Sequence, residues 1–83
     1  MRFVAEIKVT LKPGHSDPEG ETTARALREL SYPVEGVNVS KVYEVCLEEN
    51  SKVEAEKTAD EMCRRLLANP TKDDYEIEIR DAE

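Results

Sequence analysis

The side chains able to do chemistry are few and scattered. His15 is the only histidine, so a metal site would have to be built on one imidazole, with no second His, Cys or paired carboxylate at ligand spacing. A nucleophile needs a base beside it, and His15 is the only imidazole that could serve Cys46, Cys63 or a serine. Both cysteines fall inside regular elements, away from any helix N-terminus that would lower a thiol pKa, and read as ordinary buried thiols. Their spacing fits neither a CxxC motif nor a disulfide framework. There is no phosphate-binding glycine loop of the Walker or GxGxxG type. A small acyl-phosphate hydrolase would need an Arg and an Asn at a phosphate cradle after the first strand. Here that loop is Lys12-Pro13-Gly14-His15-Ser16-Asp17, with no Arg and an Asp where the anion would sit.

Two features stand out against this plain background. The loop from Leu11 to Gly20 packs two prolines and two glycines around a helix start, a rigid device that can position a partner. Lys41 lies on the apolar parity of a strand, as a bulge residue whose stem covers apolar surface or as a charge offered to a partner. The candidate contact residues are therefore Pro13, Gly14, His15, Asp17, Pro18 and Lys41. No catalytic, cofactor-binding or metal-binding residue is assigned, and no cofactor is expected.

The elements that must carry these residues follow from periodicity. Phe3, Ala5, Ile7, Val9 and Leu11 alternate with polar residues, a strand with one buried face; Pro13-Gly14 ends it. Ser16-Asp17-Pro18-Glu19 opens a helix near 17–19, capped by Ser16 in a capping box or by Asp17 before proline. Ala24, Leu27 and Leu30 mark its apolar side, and Tyr32-Pro33 closes it. A long strand from Val37 to Leu47 follows. Lys41 on its apolar parity and Val42 and Cys46 on its polar one predict a bulge near Ser40-Lys41. Ser51-Lys52-Val53-Glu54 is a capping box; Ala55, Ala59, Met62, Cys63, Leu66 and Leu67 form the stripe of a second helix. Asp60–Arg64 and Glu61–Arg65 pair on its outer side, and Asn69-Pro70 stops it, Asn in the left-handed region. Tyr75, Ile77 and Ile79 alternate in a closing strand.

The order β-α-β-α-β predicts a single α+β domain over 1–83: a two-layer sandwich with both helices on one face of a three-stranded sheet. Such a sheet leaves two open edges and a bare face bearing Val4, Val42 and Cys46, so a homodimer or tetramer is expected.

Composition narrows the partners. Twelve Lys and Arg against 19 Asp and Glu leave a net charge of -7, the wrong sign for nucleic acid or an anionic membrane. With three Tyr, one Phe and no Trp there is no base-stacking platform. No apolar run reaches membrane-spanning length. The start, Met1-Arg2-Phe3-Val4-Ala5-Glu6, lacks a signal-peptide core, so a cytoplasmic location is expected. A chain of 83 residues buries only about 60% of its unfolded surface and gains from association.

Three stretches in order resemble one family. Val9-Thr10-Leu11-Lys12-Pro13-Gly14 with Asp17-Pro18-Glu19-Gly20 is similar to the LKxGxxDPxG signature of PurS, the small subunit of phosphoribosylformylglycinamidine synthase. Val39 to Val45 resembles its lysine-bearing strand, with Ser40 in place of the family's Gly and Tyr32-Pro33 in place of a more usual Leu-Gly. Met62-Cys63-Arg64-Arg65-Leu66-Leu67-Ala68-Asn69-Pro70 followed by Asp74-Tyr75-Glu76 resembles its ending. The resemblance implies an accessory subunit of a glutamine- and ATP-dependent carbon–nitrogen ligase of purine biosynthesis, itself without catalytic groups. It implies partners too: a glutaminase subunit, PurQ, and a large synthetase subunit, PurL, bridged for ammonia transfer. The alternative is a small-molecule sensor domain of the ACT or PII kind; a small hydrolase relying on His15 comes third.

Overall fold

A computed structural model describes residues 1–82. The chain forms β1 (Arg2–Leu11), α1 (Pro18–Glu29), β2 (Lys41–Glu48), α2 (Lys52–Met62), a π-helical turn (Cys63–Leu67) and β3 (Asp73–Asp81). The strands make one antiparallel sheet in the order β2-β1-β3. With its two helices this is the expected open α+β sandwich. β1 is central and carries most of the buried strand residues. Phe3, Ala5, Ile7 and Val9 are buried and face Leu47, Val45, Tyr43 and Lys41 of β2, and Asp81, Ile79, Ile77 and Tyr75 of β3. The core lies between this face and Ala55, Ala59, Cys63 and Ala68. The other face stays open. It carries Val4, Val42 and Cys46 among charges, with Glu44, Glu6 and Glu78 in a row across the three strands. Arg80 offsets that row, 3.7 Å from Glu6 and 3.4 Å from Glu44.

Several local expectations are corrected. The second strand starts at Lys41, not Val37, because the Val39 N–H donates to Asp17 Oδ2 (2.9 Å) and not to a neighbouring strand. There is no bulge: the register with β1 runs unbroken from Lys41 to Glu48, and Lys41 is simply the first inward-facing residue, at the open end of the strand. Val42 and Cys46 are exposed on the outer face, so only Cys63 is a buried thiol.

α2 begins as expected, Ser51 Oγ accepting from the Glu54 N–H. Asp60–Arg64 (2.7 Å) and Glu61–Arg65 (3.9 Å) pair along it. Its end differs. The Ala68 N–H reaches back to the Cys63 carbonyl (2.9 Å), the i to i+5 bond of a π turn. This wider turn rotates Leu66 off the apolar stripe and leaves it 82% exposed. Asn69 does not take the left-handed conformation, which among non-glycine described residues only Ser31 adopts. Instead its side-chain oxygen accepts from the Thr71 N–H, and its own N–H donates to Asp73.

The helices use the sheet unequally. α2 packs over β1 and β3. α1 buries only Gly20 and Ala24; of its expected stripe Leu27 is half-buried and Leu30 is 68% exposed. Its neighbour is the extended segment 34–39, whose Val34 and Glu35 carbonyls accept from Arg28 (both 2.8 Å).

Candidate functional site

All six candidate residues gather at one end of the sheet, where β1 finishes and β2 starts. Pro13 and Gly14 turn the chain out of β1, with Gly14 at φ 88°, a left-handed conformation that glycine adopts without a Cβ penalty. The His15 N–H closes the turn on the Lys12 carbonyl (3.3 Å), and the side chain of His15 is exposed. Lys12 fastens the turn to β3: its N–H donates to the Lys72 carbonyl (2.7 Å) and its ammonium lies 2.6 Å from Asp74.

Asp17 is the hub. It caps α1 through Gly20 N–H to Oδ1 (2.9 Å), while Oδ2 takes the Val39 N–H (2.9 Å). The Ser16 alternative for the cap is not used. These two bonds, that from Val39 first, hold the Asp17 carboxyl below the ordinary aspartate range. Pro18 occupies the first helical position, where its missing N–H costs nothing. Gly20 is required by close approach. A Cβ there would stand 2.2 Å from the Val37 carbonyl oxygen and 2.8 Å from Asp17 Oδ2. Asp17, Pro18 and Gly20 thus form a clamp between the start of α1 and segment 37–39, a role that spacing alone did not disclose.

The clamp borders two shallow grooves. Pro13, Gly14, His15 and Asp17 line one with Val39 and Ser40. Asp17, Pro18 and Lys41 line the other with Val9, Leu11 and Leu67. Lys41 therefore sits at the rim of an apolar trough, its side chain exposed. Among the described residues no group of three or more His, Cys, Asp or Glu is placed to hold a metal ion.

A second cluster, missed from sequence, joins α2 to β3. The Tyr75 hydroxyl donates to Asp60 Oδ1 (2.5 Å), and Arg64 Nε donates to Oδ2 (2.7 Å). The Tyr75 bond foremost, then Arg64, keeps the Asp60 carboxyl low; the same bond raises the Tyr75 hydroxyl, and burial raises the Cys63 thiol. Both Asp60 carboxylate oxygens are engaged within the cluster, which suits fixing the helix to an edge strand.

The chain as a whole, in sequence and in fold, is similar to known proteins. The family model described as PurS, phosphoribosylformylglycinamidine (FGAM) synthase, matches residues 4–81. The chain belongs to the PurS family. It is 43% identical over 80 residues to the phosphoribosylformylglycinamidine synthase subunit PurS of Archaeoglobus fulgidus, covering 95% of this chain and all of that one. It is 37% identical over 83 residues to the corresponding subunit of Methanothermobacter thermautotrophicus, covering 100% and 99% of the two chains. In structure it is similar to Thermus thermophilus PurS, with a TM-score of 0.88 at 36% identity over the full length of both. It is similar, too, to a chain of PurLQS from Thermotoga maritima, with a TM-score of 0.83 at 31% identity over 99% of each. The PurS family is thus supported by sequence and by fold across the whole chain. Among the described residues no helix is long and apolar enough to cross a membrane.

Proposed function

We propose that this chain is the non-catalytic subunit of phosphoribosylformylglycinamidine synthase that holds a PurQ-type glutaminase and a PurL-type synthetase together while ammonia passes between them. The observation that carries this reading is full-length membership of the PurS family in a chain whose candidate residues build a clamp and two open grooves. Transfer within an assembly has a chemical rationale: ammonia that escapes to neutral water is protonated and ceases to be a nucleophile. Such a subunit needs rigid contact surfaces and no proton-transfer machinery. The turn and groove rims formed by Pro13, Gly14, His15, Pro18 and Lys41, shaped by Asp17, are the surface proposed to meet the large partners. The working form is a homo-oligomer in the cytoplasm.

Reconstitution tests this directly. The purified chain, added to separately purified glutaminase and synthetase subunits with glutamine, ATP and formylglycinamide ribonucleotide, is expected to restore glutamine-dependent amidine formation; alone it is expected to turn over nothing. Equal activity of the two large subunits with and without the chain would refute the proposal.

A further inference from the structure

The outer edge of β3 carries backbone groups that the sheet does not use. The Ala82 N–H donates to the Arg2 carbonyl (3.0 Å), and the Lys12 N–H donates to the Lys72 carbonyl (2.7 Å). Bonded pairs alternate along an antiparallel ladder, so between these two ends β3 bonds to β1 at Asp74, Glu76, Glu78 and Arg80. Tyr75, Ile77 and Ile79 therefore aim their N–H and C=O groups away from β1, where no further strand lies among the described residues. Such a row is a template for an added strand. Edge strands are commonly blunted by shortness, proline or a bulge. β3 has none of these: it runs 9 residues from Asp73 to Asp81, without proline and in unbroken register with β1. It is also held still, by the Tyr75 hydroxyl on Asp60 of α2 (2.5 Å) and by the Lys12 ammonium on Asp74 (2.6 Å). A template fixed in advance loses little freedom when a strand joins it.

Charge decides what can join. Glu76 and Glu78 are exposed on the outer face of β3, and neither forms an ion pair among the described residues. They flank a shallow hollow completed by Glu6, Lys8 and Ile77. Since the free bonding positions are Tyr75, Ile77 and Ile79, an antiparallel newcomer meets Glu76 and Glu78 at non-bonded pairs, where facing side chains stand closest. A second copy of β3 is the wrong newcomer: paired about Ile77, it would set Glu76 opposite Glu78, like charge on like. The edge of β2 makes no such demand. Its Glu44 lies 3.4 Å from Arg80, and its Glu48 stands opposite Arg2.

We infer that β3 docks an extended basic segment of one of the large subunits as a fourth strand of the sheet. Lys or Arg at alternate positions of that segment face Glu76 and Glu78, with apolar residues between them on the side of Tyr75, Ile77 and Ile79. Main-chain bonds supply affinity and the alternate cations supply selectivity. This rests on the accessory role proposed above and names the chemistry by which one partner is gripped, at an edge remote from the Pro-Gly turn.

Amide hydrogen exchange read residue by residue tests it, in the chain alone and in its assembly with the glutaminase and synthetase subunits. In the chain alone the Glu76 and Glu78 amides are expected to exchange slowly, being bonded to β1, and those of Tyr75 and Ile77 fast. In the assembly Tyr75, Ile77 and Ile79 are expected to slow at least about tenfold. Glu78→Lys is expected to weaken assembly at least about tenfold and to abolish that slowing. The fold tolerates the change, because residue 78 stands opposite Glu6 in the ladder. Glu56→Lys, the same charge change at an exposed position of α2, leaves assembly as in wild type. Slow Tyr75 and Ile77 amides in the chain alone, unchanged exchange in an active assembly, wild-type assembly of Glu78→Lys, or equal weakening by Glu56→Lys would each overturn strand addition and leave the accessory role standing. A wild-type chain that assembled with neither large subunit would overturn both.

Discussion

Replacing Gly20 by alanine sets two known effects against each other, and the clamp decides the sign. Within a helix alanine is favoured over glycine by up to about 1 kcal/mol, so a free α1 start would be stabilised. Here the new methyl would stand 2.2 Å from the Val37 carbonyl oxygen, about 1 Å inside the ~3.3 Å at which carbon and carbonyl oxygen ordinarily meet. The obstacle is backbone and cannot rotate away. Overpacking of this kind costs about 1–3 kcal/mol, and a fixed obstacle puts the cost near the upper end. The net expectation is a loss of about 1–2 kcal/mol, or roughly 5–15 °C in Tm for a domain of this size. Thermal unfolding followed by circular dichroism measures the loss. Amide hydrogen exchange at Val39 locates it, because relieving the overlap moves Val39 away from Asp17 and its protection should fall. A Tm raised by Gly20→Ala, or a Val39 amide as protected as in wild type, would show that α1 and segment 37–39 are not held together and would refute the clamp.

Three further outcomes are expected. The lowered Asp17 and Asp60 carboxyls contribute stability that is complete above about pH 4 and is lost as pH falls through their folded values; the raised Tyr75 hydroxyl contributes stability that is complete below about pH 10 and is lost as pH rises through its folded value. A Tyr75→Phe variant should therefore show a flatter dependence of the urea midpoint on pH at both ends than wild type. Thiol titration of the native chain should modify Cys46 alone and reach two equivalents only on unfolding, since Cys63 is buried with its thiol raised by desolvation. Ser51→Ala removes the cap of α2 and should cost about 1 kcal/mol, read as a fall of roughly 4–8 °C in Tm.

How far these features could be read from the chain differs element by element, for physical reasons. β1 and β3 declare themselves because one face is buried and the other is not, which writes a period of two into the sequence. Ser51 with Glu54 marks the start of α2 because a helix start requires local donors to be satisfied. The start of β2 was not legible: Val37 and Val39 have strand character, but the amide of Val39 is claimed by a carboxylate 22 residues earlier. Nor was the π turn, since Leu66 and Leu67 fit an ideal helical stripe and only the bond from Ala68 to Cys63 shows the extra residue. The stripe on α1 raised a different difficulty. Amphipathicity says that a helix has an apolar side; it does not say whether the cover for that side belongs to the same molecule.

The Asp-Pro-Glu-Gly run shows why a motif can signal a family without being the surface that meets a partner. Three of its four residue types answer an internal demand. Asp17 needs two carboxylate oxygens because it serves two amides, Pro18 suits the first helical position, and Gly20 must lack a Cβ to pass the Val37 carbonyl. An asparagine at 17 would set an NH2 donor against one of the two amides, where the second carboxylate oxygen now accepts. Such demands restrict a sequence as tightly as a binding site does, yet they are met inside one chain. What the clamp sets is how α1 is held against segment 37–39, and with it where Lys41 stands. Substitutions at Asp17 or Gly20 should therefore lower Tm and reconstituted activity together, whereas substitutions at exposed His15 or Lys41 should reduce reconstituted activity and leave self-association unchanged. If His15 and Lys41 variants lost both in parallel, the groove rims would be part of the contact between copies and not a surface for the large subunits.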